Sequence, residues 1–439
     1  MKDQTLQAIQ QKLGDAITLP FPKLTRRDAP GSALPSGKAR AVIGMRRAGK
    51  TSFLYQCLAD RLAAGVARER LVYFNFEDER LEGLEAADLG MILETYYRDF
   101  PRHRRESCVT WCLDEIQLVP GWEKFVRRML DSENVEVLLS GSSARMLSRE
   151  VATTMRGRAL ETIITPFSFR EFARARGATP PAGKLVSSAA QSAWLAHLDA
   201  YLEIGGFPEA GRFEQPRERT ALLQGYVDSV LFRDVAERHG VVNLVALRAF
   251  VRQLLRQPST TFSVSKIHAD FHSRGVGVSK ETLLDMLAHL EDAFLVFTVP
   301  LASRSERRRQ VNPRKLYLAD HGLARAFSAG PGLDRGHLLE NIVACELARQ
   351  CSDVAYVKTK DGHEVDFLAT MFDGSRCLIQ VSADVTSPAT FEREVRSLVG
   401  TAATFPDARR LLLTESDLPR GAVIPAGIEH LRMWRWLLQ

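Results

Sequence analysis

Short apolar runs alternate with longer stretches of helical periodicity between residues 39 and 170. The runs are 39–43, 71–76, 109–113, 135–140 and 159–165. Strands that alternate with helices along a chain tend to pair in parallel, with the helices covering the sheet. This part of the sequence therefore predicts an α/β domain built on a five-stranded parallel sheet.

Helical periodicity dominates after Asn243, a residue suited to capping a helix N-terminus. The apolar positions that share one face of the predicted helix are Leu244, Leu247, Val251, Leu254 and Leu255. Two further helical stretches, 263–272 and 279–294, flank a glycine turn, and strand-like runs follow at 295–300 and 315–320. This succession predicts a winged helix-turn-helix.

Composition adds limits to this picture. The chain has 439 residues, 45% of them apolar, which is enough to bury several cores. Its net charge of +6 is compatible with nucleic acid binding but does not require it. No run approaches the roughly 18 apolar residues of a membrane helix, and the polar N-terminus is unlike a signal sequence. Six cysteines without a C-x-x-C pair predict a cytoplasmic protein with free thiols.

Residues 44–51, GMRRAGKT, match the phosphate-binding pattern G-x-x-x-x-G-K-[ST] between a predicted strand and a predicted helix. Gly44 and Gly49 let the backbone N–H groups face phosphate oxygens, Lys50 reaches the β and γ phosphates, and Thr51 holds Mg²⁺. The residues expected to contact nucleotide are Gly44, Arg46, Arg47, Ala48, Gly49, Lys50, Thr51 and Ser52. The alternative, a glycine turn that happens to precede lysine, does not explain the flanking strand and helix.

A second motif, VTWCLDE, is an apolar strand that closes on Asp114 and Glu115. A carboxylate at such a strand end can enter the magnesium shell while its neighbour activates the attacking water. We assign the metal role to Asp114 and the base role to Glu115; an acidic turn is the alternative. Both motifs together predict binding and hydrolysis of ATP with Mg²⁺.

Polar residues that follow the fourth and fifth strands are further candidates. Ser140, with Ser142 and Ser143 as alternatives, could sense the γ phosphate, although a serine-rich helix cap explains the cluster equally well. Arg156 and Arg158 could act as an arginine finger offered to a neighbouring subunit of a homo-oligomer. Their alternative role is to supply cations at a helix C-terminus.

The chain resembles prokaryotic AAA-type P-loop ATPases that carry a C-terminal region similar to restriction-endonuclease-like folds. The stretches that carry the resemblance are GMRRAGKT, YFNFED, LDEIQ, LLSGSS, RGR, PFSFREF, YLEIGGFPE, GHLLEN and GHEVDF. The sequence patterns and the resemblance together predict an N-terminal helix and linker (1–38), a P-loop ATPase core (39–170), a helical lid (171–235), a winged helix (236–325) and a nuclease-like α/β domain (326–439), the last of which is expected to be degenerate. Related ATPases touch nucleotide through a G-x-P element of the lid, which Gly206 and Pro208 match; an ordinary loop is the alternative.

The predicted wing is rich in arginine. Its candidate DNA contacts are Arg304, Arg307, Arg308, Arg309, Arg314 and Lys315. Such a hairpin could clamp a phosphate backbone, or its charge could simply keep a loop solvated.

The C-terminal part contains Glu340, Asp366 and Gln380, an order that resembles the E…D…(E/Q)-x-K layout of restriction-endonuclease-like nucleases. The lysine position of that layout is Ser382, so the site lacks its ammonium as well as one carboxylate. Because metal catalysis depends on the charge of the ligands, we expect a nuclease-shaped but catalytically silent domain that is free to bind a protein partner.

These features lead to a hypothesis in which an AAA-type ATPase engages DNA as a motor or remodeller. Two alternatives stay open at this point. One is a nucleotide switch with a protein partner, as in defence or stress signalling, and the other is an ATP-dependent endonuclease.

Overall fold

The computed structural model describes residues 2–141, 157–181, 183, 185–303, 305, 307, 309, 313–328, 333–359 and 362–439. Contacts divide the chain into two compact units, Met1–Thr165 and Pro166–Gln439. Within the described ranges, no helix is long and apolar enough to cross a membrane.

The first unit contains the predicted five-stranded parallel sheet. Its strands are β1 (Ala39–Ile43), β2 (Leu71–Asn75), β3 (Val109–Asp114), β4 (Val135–Ser140) and β5 (Ala159–Ile163), in the spatial order β2-β3-β4-β1-β5. Every pairing is parallel, which confirms the expectation from the alternating pattern. Because β4 lies between β1 and β3, the segments that follow these three strands emerge side by side at one edge of the sheet.

Helices alternate with the strands of this sheet, and the longer ones bury apolar residues that recur on one face. The helices are Lys2–Thr18, Lys50–Ala63, Gly90–Asp99, His103–Glu106 and Trp122–Ser132. In the last of them Trp122, Phe125, Val126 and Met129 are buried, at the spacing of a helix face that packs on a core. The N-terminal helix is held by an ion pair of 2.8 Å between Lys12 Nζ and Asp78 Oδ2.

The second unit begins with helical segments. They are Phe169–Ala175, Ser188–Ile204, Pro216–Ser229, the π-helical Val230–Glu237, Leu244–Arg256, Val264–Ser273, Lys280–Asp292 and His321–Phe327. The Asn243 side chain accepts a hydrogen bond of 3.0 Å from Ala246 N, which confirms its predicted role as a helix cap.

The strands of a small antiparallel sheet lie along the chain between and after the helices Leu244–Arg256, Val264–Ser273 and Lys280–Asp292. It consists of β6 (Thr260–Phe262), β7 (Val296–Val299) and β8 (Arg314–Leu318), with β8 in the middle. Along the chain, the described elements from Leu244 to Leu318 run helix, strand, helix, helix, strand, strand.

The C-terminal part of the second unit is a mixed sheet flanked by helices. After the helix Arg335–Gln350 come β9 (Cys351–Lys358), β10 (Glu364–Met371), β11 (Arg376–Ser382), β12 (Arg409–Thr414) and β13 (Ile428–Arg432), with the helices Pro388–Gly400 and Met433–Trp436. The first three strands form an antiparallel meander, and β11, β12 and β13 are parallel. The helix Pro388–Gly400 crosses between β11 and β12 and packs Leu398 into the core with Val365 and Leu412.

Candidate nucleotide site

The loop between β1 and the helix Lys50–Ala63 depends on glycine at two positions. Gly44 has φ 140° and Gly49 has φ 101°, both in the region that disfavours other residues. A Cβ on Gly44 would lie 2.0 Å from the carbonyl oxygen of Ile164, so no side chain fits there. Gly49 precedes the helix and has no side chain to cap its first N–H groups, an arrangement typical of helix N-termini that bind an anion.

Lys50 lies at the start of this helix and is buried, with 6% of its surface exposed. Its ammonium donates hydrogen bonds to the carbonyl oxygens of Gly44, at 3.0 Å, and Met45, at 3.2 Å. These contacts hold the ammonium group of Lys50 against the backbone of the loop, where the phosphates of a nucleotide are expected.

Asp114 ends β3 and is 1% exposed. Its Oδ2 accepts hydrogen bonds from Thr51 Oγ1, at 2.8 Å, and from the hydroxyl of Tyr73, at 2.6 Å. Its Oδ1 accepts a hydrogen bond from Ser140 Oγ. The structure therefore brings together Thr51, Asp114 and Ser140, which the sequence indicated from three separate motifs.

This arrangement fits a magnesium ion. The hydroxyl of Thr51 and the carboxylate of Asp114 are hard oxygen donors that already touch, and Mg²⁺ favours one or two such ligands together with phosphate oxygens. Among the residues that the structure describes, no cluster of three or more His, Cys, Asp or Glu side chains is spaced to hold a metal ion.

Glu115 adopts a left-handed backbone conformation with φ 57° and ψ 36°. A residue other than glycine pays roughly 1–2 kcal/mol for this conformation, which is typical of positions held for a function. The backbone N–H of Glu115 donates to Ser140 Oγ at 3.4 Å, and its Oε2 accepts a hydrogen bond of 2.5 Å from Gln117 Nε2. The carboxylate of Glu115 thus has a defined position one residue beyond Asp114.

Three residues at this site were not among the predictions. Tyr73 reaches Asp114 from the adjacent strand β2, and burial followed by the charge of Asp114 raises the pKa of its phenol. Gln117 donates a hydrogen bond to the Glu115 carboxylate. Arg27 Nη1 donates to the carbonyl oxygen of Ala48, at 2.8 Å, and so stabilises the backbone of the loop. The strand order, which the sequence did not reveal, is what places Tyr73 beside Asp114.

The remaining predicted residues of the first unit that the structure describes lie in the loop or at the start of the helix that follows it, except Arg158, which precedes β5 at the opposite edge of the sheet. Arg46 is half-buried and Arg47, with φ 64°, is exposed. Ala48 is buried, and Ser52 is partly exposed in the first turn of the helix. Arg158 forms a surface ion pair with Asp131 of the same chain. The candidates Arg156, Ser142 and Ser143 lie outside the described residues.

The glycines predicted to touch nucleotide from the lid have a partner within the second unit. Asp320 Oδ2 accepts a hydrogen bond of 2.6 Å from Gly206 N, and Oδ1 accepts one of 2.9 Å from Gly322 N. A Cβ on Gly206 would lie 2.4 Å from the carbonyl oxygen of Phe167, and one on Gly205 would lie 2.4 Å from Asp320 Oδ1. Packing against Asp320 therefore accounts for both glycines; contact of Gly206 or Pro208 with nucleotide stays a prediction.

The candidate DNA contacts have different surroundings. Arg307 is exposed. Arg314 Nη1 donates a hydrogen bond of 3.4 Å to the hydroxyl of Thr298. Arg309 forms a bidentate ion pair with the Asp353 carboxylate, with N···O distances of 2.9 and 3.1 Å. Lys315 is 4% exposed and its ammonium contacts carboxylates, so its assignment to a DNA-binding surface was wrong. No local pattern of charge around Lys315 indicates that the strand β8 turns this side chain inward. Arg304 and Arg308 lie outside the described residues.

The C-terminal acids Glu340 and Asp366 are close together, because Lys315 Nζ lies 3.0 Å from Glu340 Oε1 and 3.1 Å from Asp366 Oδ1. Gln380 instead donates to Glu394 Oε2 at 2.7 Å, and Ser382 donates to the carbonyl oxygen of Asp384 at 3.3 Å. The expectation that these acids lack an ammonium was therefore wrong. Lysine is absent from position 382, but Lys315 from another strand takes part.

Comparison with family models assigns three regions. Residues 36–173 match the model of an AAA domain. Residues 195–333 match a domain of unknown function (DUF8612), and residues 335–428 match another (DUF4143). The match to the AAA domain covers the loop and the acidic strand end described above.

Solved structures with some likeness include Cdc6p from Pyrobaculum aerophilum, with 14% identity, 74% of this chain and 92% of that chain covered, and a TM-score of 0.25. Another is protein VC1899 from Vibrio cholerae, with 12% identity, 77% and 92% covered, and a TM-score of 0.20. At these TM-scores neither likeness bears on fold or function.

Two relatives found by sequence are more similar to this chain than these solved structures are. An uncharacterized protein of Haemophilus influenzae is 29% identical over 402 residues, which cover 91% of this chain and 94% of the relative. The uncharacterized protein MJ1544 of Methanocaldococcus jannaschii is 31% identical over 379 residues, which cover 85% of this chain and 81% of the relative. This chain therefore belongs to one family with MJ1544 of Methanocaldococcus jannaschii, and its residues 36–173 form an AAA domain.

Proposed function

We propose that this protein is an ATPase that binds ATP with Mg²⁺ at the loop 44–51 and hydrolyses it. The observation that carries the proposal is the contact of 2.8 Å between Thr51 Oγ1 and Asp114 Oδ2, because it joins the phosphate loop to the acidic strand end. An AAA domain over residues 36–173 supports the same activity.

The residues divide the work of hydrolysis. Backbone N–H groups of the loop and the Lys50 ammonium bind the phosphates and offset the charge that develops on them. Thr51 and Asp114 hold Mg²⁺, which supplies Lewis-acid stabilisation of the phosphoryl oxygens. Glu115 takes a proton from the attacking water. Ser140 Oγ donates to the Asp114 carboxylate and accepts from the backbone N–H of Glu115, so it orients Asp114 and fixes the backbone at Glu115.

Replacing Glu115 by Gln tests the assignment of the base, since it removes the proton acceptor and keeps the shape of the side chain. We expect turnover to fall by about 10²–10⁴-fold while ATP affinity stays near that of the wild type. Phosphate release measured beside nucleotide binding separates the two effects. Wild-type turnover in Glu115→Gln would assign the base elsewhere.

A role as a DNA-engaging motor or remodeller is supported by the helix, strand, helix, helix, strand, strand order between Leu244 and Leu318, which is that of a winged helix. Arg307, between β7 and β8, is exposed. ATPase rates with forked, junction and duplex DNA test this role. Stimulation that falls with added salt is expected, and no stimulation by any of them would contradict it.

One observation favours a second candidate, a nucleotide switch with a protein partner. The exposed face of the helix Lys280–Asp292 carries Glu281, Asp285 and the apolar Leu284, which is 52% exposed. Carboxylates repel a phosphate backbone, so this face suits a protein better than DNA. Slow turnover, unaffected by DNA, would favour the switch over the motor.

The same proposal includes the division of the chain and its location. Boundaries at residues 38, 170, 235 and 325 separate the linker, the ATPase core, the lid, the winged helix and a nuclease-like C-terminal domain, and the protein works in the cytoplasm.

The proposal also includes an arginine finger. Arg156 or Arg158 of one subunit contacts the nucleotide of a neighbouring subunit in a homo-oligomer. Mixing Lys50→Ala chains with Arg158→Ala chains tests the finger, because restored turnover requires sites shared between subunits.

A further inference from the structure

Three arginines form a row along one side of the helix Leu244–Arg256. Arg248, Arg252 and Arg256 are four residues apart, so they lie on the same face at steps of about 6 Å along the helix axis. All three are exposed, whereas the apolar face of the helix is buried. The helix contains no aspartate or glutamate. This arginine row therefore carries three positive charges that no acid of the helix offsets.

Two guanidinium groups of the arginine row are held by contacts with other elements of the second unit. The Arg248 guanidinium lies over the Phe232 ring, 4.8 Å from the ring centroid. Arg256 Nε donates a hydrogen bond of 3.1 Å to the carbonyl oxygen of Phe327. Because a guanidinium has five N–H donors, a ring contact or a single hydrogen bond fixes its position and leaves donors for a further acceptor. Neither contact supplies a negative charge.

Carboxylates do not neutralise the arginine row. In the part of the chain that the structure describes, Arg248, Arg252 and Arg256 form no ion pair, in contrast with Arg219 of the same unit, which pairs with Glu203 at 2.9 Å. Like charges four residues apart destabilise a helix, and surfaces that only maintain solubility intersperse both signs of charge. The stability of the helix therefore does not explain the row.

Helix electrostatics account for one member of the row. The helix dipole favours a cation in the last turn, where Arg256 lies, but gives no such advantage to Arg248 and Arg252. A guanidinium can bind two oxygens of one phosphate through parallel N–H groups. Guanidinium groups at regular steps suit a polyanion that presents phosphates at regular intervals, which is the backbone of a nucleic acid.

We propose that Arg248, Arg252 and Arg256 bind the sugar–phosphate backbone of DNA. The proposal rests on the DNA-engaging role proposed above and is independent of ATP hydrolysis. It gives that role a surface other than the acidic face of the helix Lys280–Asp292, and it adds cations to the exposed Arg307. Since phosphate contacts carry no information about the bases, the arginine row binds DNA without regard to sequence.

Fluorescence anisotropy with a labelled DNA duplex, without ATP and over a range of salt concentrations, tests the proposal. Each phosphate contact contributes about 0.9 to the slope of log K against log [salt], so Arg248→Gln/Arg252→Gln/Arg256→Gln should reduce the slope by about 2.7 and the affinity at about 0.1 M salt by about 10²-fold or more. An unchanged slope would overturn the proposal. The matched control removes the same charge from three exposed arginines of the first unit and should keep the wild-type slope; these are Arg98, Arg102 and Arg105.

A conservative variant separates loss of charge from loss of fold. Arg248→Lys/Arg252→Lys/Arg256→Lys keeps the three charges and should keep the slope, with an affinity lowered by less than about tenfold because an ammonium does not bind two phosphate oxygens in parallel. A Tm near that of the wild type is expected for both triple variants, since all three side chains are exposed. A slope reduced equally in the lysine and glutamine variants would assign the effect to the fold and count against the proposal.

The same measurement distinguishes this inference from the DNA-engaging role itself. A wild type that binds no duplex at low salt would contradict both. Wild-type binding with an unchanged slope in the glutamine variant would remove the arginine row and leave the role. Poly-glutamate at an equal concentration of charge should displace the labelled duplex less than unlabelled duplex does, and equal displacement would assign the row to an acidic protein instead.

Discussion

The hydroxyl of Tyr73 lies 2.6 Å from Oδ2 of Asp114, the oxygen that also accepts the hydrogen bond from Thr51. Tyr73 packs against Tyr55, with ring centroids 4.3 Å apart and the rings tilted by 30°, so the phenol has little freedom to move. Asp114 is therefore oriented from β2 as well as from the loop that carries Thr51, and we assign to Tyr73 the role of positioning the proposed magnesium ligand.

Tyr73→Phe tests this role. A hydrogen bond to a charged group contributes about 1.5–3 kcal/mol, so its loss is expected to raise the Mg²⁺ concentration for half-maximal ATPase activity by about tenfold or more. The maximal rate at saturating Mg²⁺ should change much less. Tyr96→Phe is the matched control, because its hydroxyl contacts the carbonyl oxygen of Glu69 instead. Equal Mg²⁺ dependence of both variants would remove Tyr73 from the site.

Gly206→Ala tests the structural explanation for the paired glycines. The new Cβ would lie 2.4 Å from the carbonyl oxygen of Phe167 and 2.9 Å from Asp320 Oδ2, so we expect a loss of about 1–3 kcal/mol in the free energy of unfolding. Gly211→Ala has nothing within 4 Å of its Cβ and should change stability by less than about 0.5 kcal/mol. Urea unfolding compares the two, and equal stability would mean that Asp320 does not require glycine.

His321 predicts a dependence of stability on pH. It is 2% exposed, its Nε2 donates to the carbonyl oxygen of Tyr201 at 2.6 Å, and burial lowers its pKa. Between the lowered pKa of the folded state and the value of about 6.5 in the unfolded chain, the unfolded chain binds a proton that the folded chain does not, so acidification through this window destabilises the fold by up to about 1.4 kcal/mol per pH unit. Urea unfolding at pH 5.5 and 7.5 should show a smaller loss in His321→Gln. Identical losses would assign the pH dependence to other groups.

Regular periodicity made most of the first unit predictable. The five apolar runs became parallel strands because helices alternate with strands along the chain, and the glycines at 44 and 49 mark a loop whose backbone conformation favours glycine. The contacts of Asp114 with Tyr73 and Ser140 required the order of β2, β3 and β4. The strand order depends on packing between residues far apart in the chain, which the periodicity of a single sequence does not reveal.

Contacts between residues far apart in the sequence also explain why Lys315 was wrongly assigned to a DNA-binding surface. Lys315 stands among arginines in the sequence, so its charge suggested a surface, whereas strand alternation in β8 turns it and Tyr317 towards the acids of the C-terminal part. Its partners lie 25 to 51 residues away along the chain. A count of local charges cannot find such a cluster.

Phosphate release from ATP by the wild type and by Lys50→Ala, with and without Mg²⁺, decides whether the loop 44–51 is the site of hydrolysis. We expect Mg²⁺-dependent turnover in the wild type. We expect loss of turnover and of nucleotide binding in Lys50→Ala, because the ammonium held by the carbonyl oxygens of Gly44 and Met45 is then missing. Turnover that is equal in both proteins, or absent from a wild type that also fails to bind ATP, would contradict this assignment.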